Sequence, residues 1–494
     1  MSDTPAFRPQ ARSPRGFQDR RARDLRAERT ILTAVAEVYE RFGFEALETS
    51  AFEYADALGK FLPDSDRPNE GVFALQDDPD TENGQWMALR YDLTAPLARF
   101  HAQNRETLPK PFRRYAFGTV WRNEKPGPGR FREFIQCDAD TVGSARPEAD
   151  AEIIAMAAEG LEAAGLPRGA AVIKINTRKL LNGLLEAIGV SEPAQKLVVL
   201  RAVDKLDRLG PDGVRELLGE GRRDVSGDFT RGAGLPAAAS ERVLAFVTSP
   251  VSGSRLGTLG RIADAIGGSA SGDKGLEDLY RINSALDRLG VPESQAAFDS
   301  TIVRGLEYYT GCVFEADLLL DTFDEQGRPI RFGSVGGGGR YDDLVARFTG
   351  ESVPATGFSF GVSRLVAALR AAGREPGAAA RGPVVVIAFN EAAMADYFAI
   401  AGELRSGGIA AEVYLGASGM KAQMKYADRR LSPAAVIVGE DELAAGTVTV
   451  KDLDLGRTLA GQVADNKAWK SERPGQATIP RVDLVAHVHR ILEG

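Results

Sequence analysis

Between Tyr115 and Asp140 the chain reads YAFGTVWRNEKPGPGRFREFIQCDAD, the text of a strand, a loop and a second strand. Phe117, Val120 and Trp121 are residue types that favour strands. Lys125-Pro126-Gly127-Pro128-Gly129 cannot continue a regular element. Phe131, Phe134 and Ile135 then restart a strand pattern. The reading is a hairpin, with Arg122 and Glu124 before its loop and Arg130, Arg132 and Glu133 after it. Antiparallel strands hold such side chains more rigidly than a free loop does. A guanidinium fixed there is a usual bidentate partner for phosphate or carboxylate. An ordinary hairpin with solvated charges at its mouth has the same text, so the rest of the chain must decide.

The totals narrow the classes. At 494 residues the chain suggests two to four domains, taking about 150 residues for each. A net charge of −8 excludes a blanket polyanion binder, so nucleic acid would need a local basic face. Cys137 and Cys312 are too few for a disulfide framework and suit a reducing cytosol. With His101, His487 and His489 as the only histidines, and no CxxC, no metal site is expected. The first residues lack the apolar core of a signal peptide, and no run of eighteen apolar residues exists to span a membrane.

Residues 1–15 are polar and expected to be disordered. Apolar residues at helical spacing predict an amphipathic helix from Arg20 to Phe42, broken by Gly43, with a strand from Phe44 to Phe52. Residues 60–85 read as a loop. Trp86–Arg90 reads as a strand leading into Asp92-Leu93-Thr94. In extended backbone Asp92 and Thr94 share one side and could hold an ammonium group. Equally, Thr94 could cap a helix over Ala95–Gln103. A helix is expected over Pro147–Ala164, a strand over Val172–Ile175, and an inserted helical subdomain from about 180 to 290. Strand text resumes at Thr301, with Arg304, Tyr308 and Tyr309. Gly336–Gly339, followed by Arg340 and Tyr341, could let a ligand lie on bare backbone. A strand over Ala355–Gly361 leads into a helix from Val362, with Arg364 where the helix dipole favours an anion. After a linker at 376–383 the text alternates strand and helix to the end. Lys421, Lys425 and Arg429 form a basic stripe there, which by itself is more often a solvated face than an RNA contact.

With these residues in view the chain resembles the histidyl-tRNA synthetase family of class II aminoacyl-tRNA synthetases. Pro14-Arg15-Gly16-Phe17-Gln18-Asp19 is similar to the family's opening. Residues 20–53 resemble motif 1, the class's dimer interface; Tyr115–Asp140 resembles motif 2, and Gly357–Leu369 motif 3. Val303-Arg304-Gly305-Leu306-Glu307-Tyr308-Tyr309 and Gly338-Gly339-Arg340-Tyr341-Asp342 are similar to the two histidine-binding signatures. Lys421–Asp428, Gly439–Leu443 and Lys451-Asp452 resemble the anticodon-binding domain. The implied fold is an α+β class II catalytic core over 16–375, an antiparallel sheet with flanking helices. It carries the inserted helical subdomain, and an α/β anticodon-binding domain follows over 384–494.

The resemblance also implies roles. L-histidine would attack ATP to give histidyl-adenylate, and histidine tRNA would then accept the histidyl group. Arg122 would contact the α-phosphate and the amino-acid carboxylate, Arg304 the α-phosphate from the other side, and Arg364 the γ-phosphate. Glu124 and Arg130 would bind ATP, with Lys125 to Arg130 closing over ATP and the acceptor end. Asp92, Leu93, Thr94 and Gln136 would receive the ammonium end of histidine. Asp140, Tyr308, Tyr309 and Tyr341 would surround the imidazole. Lys125, Gly127, Lys421, Lys425 and Arg429 are the candidate tRNA contacts. Mg²⁺ with ATP, a homodimer and a cytoplasmic location follow from the class.

Three positions depart from the family pattern. Motif 1 lacks its usual Pro in Glu48–Glu53. Ser363 stands where an acidic residue usually precedes the motif 3 Arg. Lys125-Pro126-Gly127 replaces the Arg-Pro-Gln of many bacterial members. That loop helps read the extra guanosine at the 5′ end of histidine tRNA, so the loss of the Gln amide predicts weaker dependence on it. The rival reading is the non-catalytic regulatory subunit of ATP phosphoribosyltransferase. That subunit shares the core but generally lacks the anticodon-binding domain and has lost ATP-contacting residues. Arg122, Arg304, Arg364 and the C-terminal domain are together here.

Overall fold

The computed structural model describes residues 9–58, 71–77, 84–127, 131–224, 227–248, 253–266, 268–302, 308–324, 326–374, 376–377, 381–460 and 475–493. Arg130 and Arg304 lie outside them. The chain divides into two compact units, Met1–Gly377 and Ala378–Gly494.

The first unit is built on one sheet. Its strands are β1 (Glu45–Ala46), β2 (Phe112–Trp121), β3 (Glu133–Val142), β4 (Ala171–Thr177), β5 (Ala296–Phe298), β6 (Cys312–Leu318), β7 (Ser334–Arg340) and β8 (Ala355–Gly361). Their order is β1-β2-β3-β8-β7-β6-β4-β5. All neighbours are antiparallel except β1 with β2 and β4 with β5. Helix α1 (Ala22–Arg41) buries Ile31, Val35, Val38 and Tyr39 against one face of this sheet. Each such aliphatic side chain removed from water contributes about 1.5–3 kcal/mol. The helix ends as its glycine predicts: Gly43 takes φ +79° and the Phe44 N–H reaches back to the Tyr39 carbonyl at 3.0 Å. Helix α2 (Thr94–Asn104) follows Leu93, α3 (Pro147–Ala163) follows β3, and α4 (Val362–Ala371) follows β8.

One sequence expectation is overturned by the structure. The strand expected over Phe44–Phe52 is broken into β1 and a separate strand, Phe52–Tyr54, which joins Ala74–Gln76 and Trp86–Leu89 in a small sheet. The break is held by Arg90, which is 6% exposed; its guanidinium donates to the Thr49 carbonyl at 2.7 Å and to Thr119 at 3.0 Å. Gly336–Gly339 lie inside β7. A Cβ on Gly338 would stand 2.0 Å from the Gly357 carbonyl, and one on Gly336 would stand 2.8 Å from the Phe358 ring. Close approach to β8 therefore accounts for these two glycines without a ligand.

Between β4 and β5 the chain forms helices Arg178–Ala187, Pro193–Val203, Leu206–Leu218, Ala237–Val247, Arg255–Ile266 and Ala270–Arg288, with one short hairpin. The second unit is a five-stranded sheet of β9 (Val384–Ile387), β10 (Ala411–Val413), β11 (Ala434–Ile437), β12 (Thr447–Asp452) and β13 (Gln476–Pro480), in order β10-β9-β11-β12-β13. Its helix α5 is Met420–Arg429. Among the described residues no helix is long and apolar enough to cross a membrane.

Candidate active site

Strand β3 organises the site. Alternation puts Phe134, Gln136, Asp138 and Asp140 on one face. Most of their cross-strand neighbours are small: Gly118 and Gly361 flank Gln136, Ala116 and Ser359 flank Asp138, and Gly357 lies on one side of Asp140. The result is a floor with polar side chains in the middle and little beside them. Gly357 is required, since its Cβ would fall 1.9 Å from Asp140 Oδ1.

Asp140, opposite Arg114 in the β2–β3 ladder, is the centre of a buried network. Arg114 is 0% exposed and Asp140 2% exposed. The Arg114 Nη2 lies 2.9 Å from Asp140 Oδ2 and donates to the Leu93 carbonyl at 2.8 Å. The Tyr341 hydroxyl donates to Asp140 Oδ1. Burial pushes the Asp140 carboxyl up, opposed by Arg114 and Tyr341. Arg114 is not among the site residues that the sequence points to. Nothing in the local text separates it from Arg113, which pairs with Glu152.

Asp92 caps α2, a role the sequence left to Thr94. Its Oδ1 accepts the N–H of Ala95 at 3.0 Å and of Thr94 at 3.2 Å. Asp92 keeps part of its surface open, yet desolvation pushes its carboxyl up against the pull of the Ala95 N–H and Arg122. Leu93 is fixed through its carbonyl, as above. Tyr308, Tyr309 and Tyr341 cluster, with Tyr308 5.1 Å from Tyr309 and 5.6 Å from Tyr341 between ring centroids.

Buried polar atoms normally have partners. Here Gln136 Oε1, both Asp138 oxygens and the Tyr308 hydroxyl are buried without a formed hydrogen bond. The Gln136 amide is aimed by its other end, which donates to Ser359 Oγ at 2.6 Å. Such a concentration on one strand face and the adjoining tyrosines marks a place for a polar ligand.

Beside it stand the cations. The Arg122 Nε donates to the Tyr91 carbonyl at 3.1 Å, and its guanidinium lies 5.2 Å from the Phe134 ring centroid. Arg364 sits in the first turn of α4, half-buried, with Nη2 donating to the Phe332 carbonyl. Ser363, the residue replacing an acidic one, receives the Ile135 N–H at 3.2 Å and donates to Glu28. Glu124, Lys125 and Gly127 are exposed, and the Glu124 carbonyl accepts from Arg132 at 2.9 Å. Arg132 in turn donates its N–H to the Gly16 carbonyl, tying Pro14–Phe17 to the loop. Arg340 is not a free site cation: it is 7% exposed and bound to Asp150 at 2.7 Å. In the second unit Lys421, Lys425 and Arg429 are exposed on α5, whose buried residues are Gln423 and Ala427. Among the described residues no group of three or more His, Cys, Asp or Glu is arranged to hold a metal ion.

A family profile described as histidyl-tRNA synthetase matches residues 16–365, and one described as anticodon binding domain matches residues 383–469. The histidine–tRNA ligase of Caulobacter vibrioides is 73% identical over 488 residues, covering 99% of this chain and 98% of its own. That of Cereibacter sphaeroides is 54% identical over 498 residues, 99% of both. Among solved structures, histidyl-tRNA synthetase from Nostoc sp. PCC 7120 superposes with a TM-score of 0.73 at 28% identity, covering 98% of this chain and all of that one.

Proposed function

The chain belongs to the histidyl-tRNA synthetase family, and from that premise we propose how its residues attach L-histidine to histidine tRNA at the expense of ATP. The histidine carboxylate attacks the α-phosphorus, and pyrophosphate leaves. The 3′-terminal adenosine hydroxyl of the tRNA then attacks the histidyl carbonyl, and AMP leaves. Both steps build charge on oxygen, so fixed cations and positioning supply most of the catalysis. Arg122 holds the α-phosphate against the histidine carboxylate, and its bond to the Tyr91 carbonyl keeps it from swinging away. Arg304 opposes it and Arg364 takes the γ-phosphate, with Glu124 and Arg130 at the nucleotide.

The substrate ammonium offers three donors. Asp92, the Thr94 hydroxyl and Gln136 Oε1 are the three acceptors, and the backbone of Leu93 holds the first two in line. The imidazole enters between Asp140 and Tyr308, Tyr309 and Tyr341. The partnerless Gln136 Oε1 and Tyr308 hydroxyl carry this assignment, because a bound histidine satisfies both. A site with such groups rejects apolar amino acids, which leave them unpaired.

Mg²⁺ arrives with ATP. Phosphate oxygens and water would supply most of its ligands, as is usual for Mg²⁺ bound with a nucleotide. The tRNA meets Lys125 and Gly127 at its acceptor end and Lys421, Lys425 and Arg429 on α5. The enzyme is a cytoplasmic homodimer that pairs through residues 20–53; light scattering that returned only the 52.9 kDa monomer would remove the dimer.

The deciding experiment is exchange of labelled pyrophosphate into ATP with each of the twenty amino acids. Exchange with histidine alone is expected, and Arg122→Ala should lower it by about 10²–10³-fold, the usual loss for one transition-state donor. Undiminished exchange by that variant, or exchange with another amino acid, contradicts the assignment. For the tRNA step, Gly127 carries no side chain to read the extra 5′ guanosine. Charging rates should be nearly equal with and without that guanosine, and a fall of orders of magnitude on its removal would refute this.

A further inference from the structure

Asp138 has no part in the mechanism above, yet it is the least satisfied charge on the floor. It is 1% exposed and lies between Gln136 and Asp140 on the same face of β3. Neither of its oxygens has a fully formed hydrogen bond. The Ser359 hydroxyl, whose oxygen accepts the Gln136 amide, is a neutral donor that favours the charged form of Asp138, and it falls short of a fully formed hydrogen bond. The one fully buried cation nearby, Arg114, is committed to Asp140 and the Leu93 carbonyl. A buried carboxylate left in this condition costs several kcal/mol. Burial and the adjacent Asp140 push its carboxyl up to about 7, with Arg114 opposing. Such a group is waiting for a donor.

The reactants offer few donors. The histidine ammonium has three acceptors without Asp138. The nucleotide is assigned above to Glu124 and Arg130, at the loop joining β2 and β3. The imidazole remains. It has two ring nitrogens on different edges, and each needs a polar partner in a dry slot. Asp140 already takes Tyr341 on Oδ1 and Arg114 at Oδ2, so it serves one edge with limited capacity.

We propose that Asp138 is a second carboxylate for the substrate imidazole, accepting a ring N–H and fixing specificity for histidine together with Asp140. The inference rests on the histidine reading of this slot. It makes the imidazole site a pair of aspartates at positions two apart on one strand. The pair is matched to a ring that can carry a proton on either nitrogen.

The test uses the full chain. Asp138→Asn keeps the shape and removes the charge. In pyrophosphate exchange its KM for histidine should rise roughly ten- to hundredfold, the value of one hydrogen bond to a charged group. Its KM for ATP should stay within about twofold, a split that a purely structural role does not produce. A KM for histidine within about twofold of the parent overturns the proposal. A measurement on the unsubstituted protein covers the case in which the variant does not fold. Histidine methylated on either ring nitrogen should compete at least tenfold more weakly than histidine. An N-methyl isomer that competes as well as histidine shows that one ring edge is not held, and overturns the proposal. Failure of the unsubstituted protein to exchange with histidine takes down the histidine reading itself and this inference with it.

Discussion

Replacing Arg114 by Met is expected to destabilise the protein by about 3–5 kcal/mol, the usual cost of removing one partner from a buried ion pair. Met is close enough in volume to leave little cavity, so the loss is electrostatic. Arg114 is 0% exposed and faces Asp140 at 2.9 Å, with Asp138 next along the strand. Without the guanidinium, two buried carboxylates face each other with no fully buried cation beside them. The Leu93 carbonyl also loses its donor. That carbonyl belongs to the turn carrying Asp92 and Thr94, so whatever fraction folds should bind histidine poorly. Urea unfolding at neutral pH reads the first effect and the KM for histidine the second. A stability loss below about 1 kcal/mol would mean that the network is not the keystone described here.

How much of this was legible follows from where each constraint originates. The hairpin of β2 and β3, helix α1 and its end at Gly43 were legible because each is dictated locally: strand residues around a Pro-Gly loop, apolar residues at helical spacing, a glycine at φ +79°. The broken strand after Phe44 was not, because the break is imposed by a side chain about forty residues away, Arg90. The glycines of β7 were visible, but their reason sits on β8. Thr94 stood next to the helical text and was offered as its cap, whereas Asp92, by type the stronger capping residue, reaches the open N–H groups. Arg113 and Arg114 differ by one position, and on a strand one position is the difference between rim and core. The family resemblance located Asp140 and Gln136. The physical reading adds that Asp138 shares their face, a consequence of alternation that the Asp-x-Asp text itself displays.

Asp138→Asn should also separate function from stability. A carboxyl that ionises near 3.9 in the unfolded chain and near 7 when folded binds more protons in the native state between those values. Stability of the parent therefore falls as pH rises through that window, and the loss is complete above about 7. Asn does not titrate, so the variant escapes this loss. Its stability advantage over the parent should be about 2–3 kcal/mol larger at pH 8 than at pH 5. Asp92 and Asp140 are also shifted upward; their own burial is common to both proteins, and their repulsion of Asp138 is already part of the upward shift that the variant removes. Urea unfolding of both proteins at the two pH values supplies the comparison. A variant that gains nothing at pH 8 would mean that Asp138 is already well satisfied in the folded protein, which would weaken the case for a substrate donor. A variant that gains stability while losing histidine affinity identifies a residue kept at a cost to the fold because the reaction needs it.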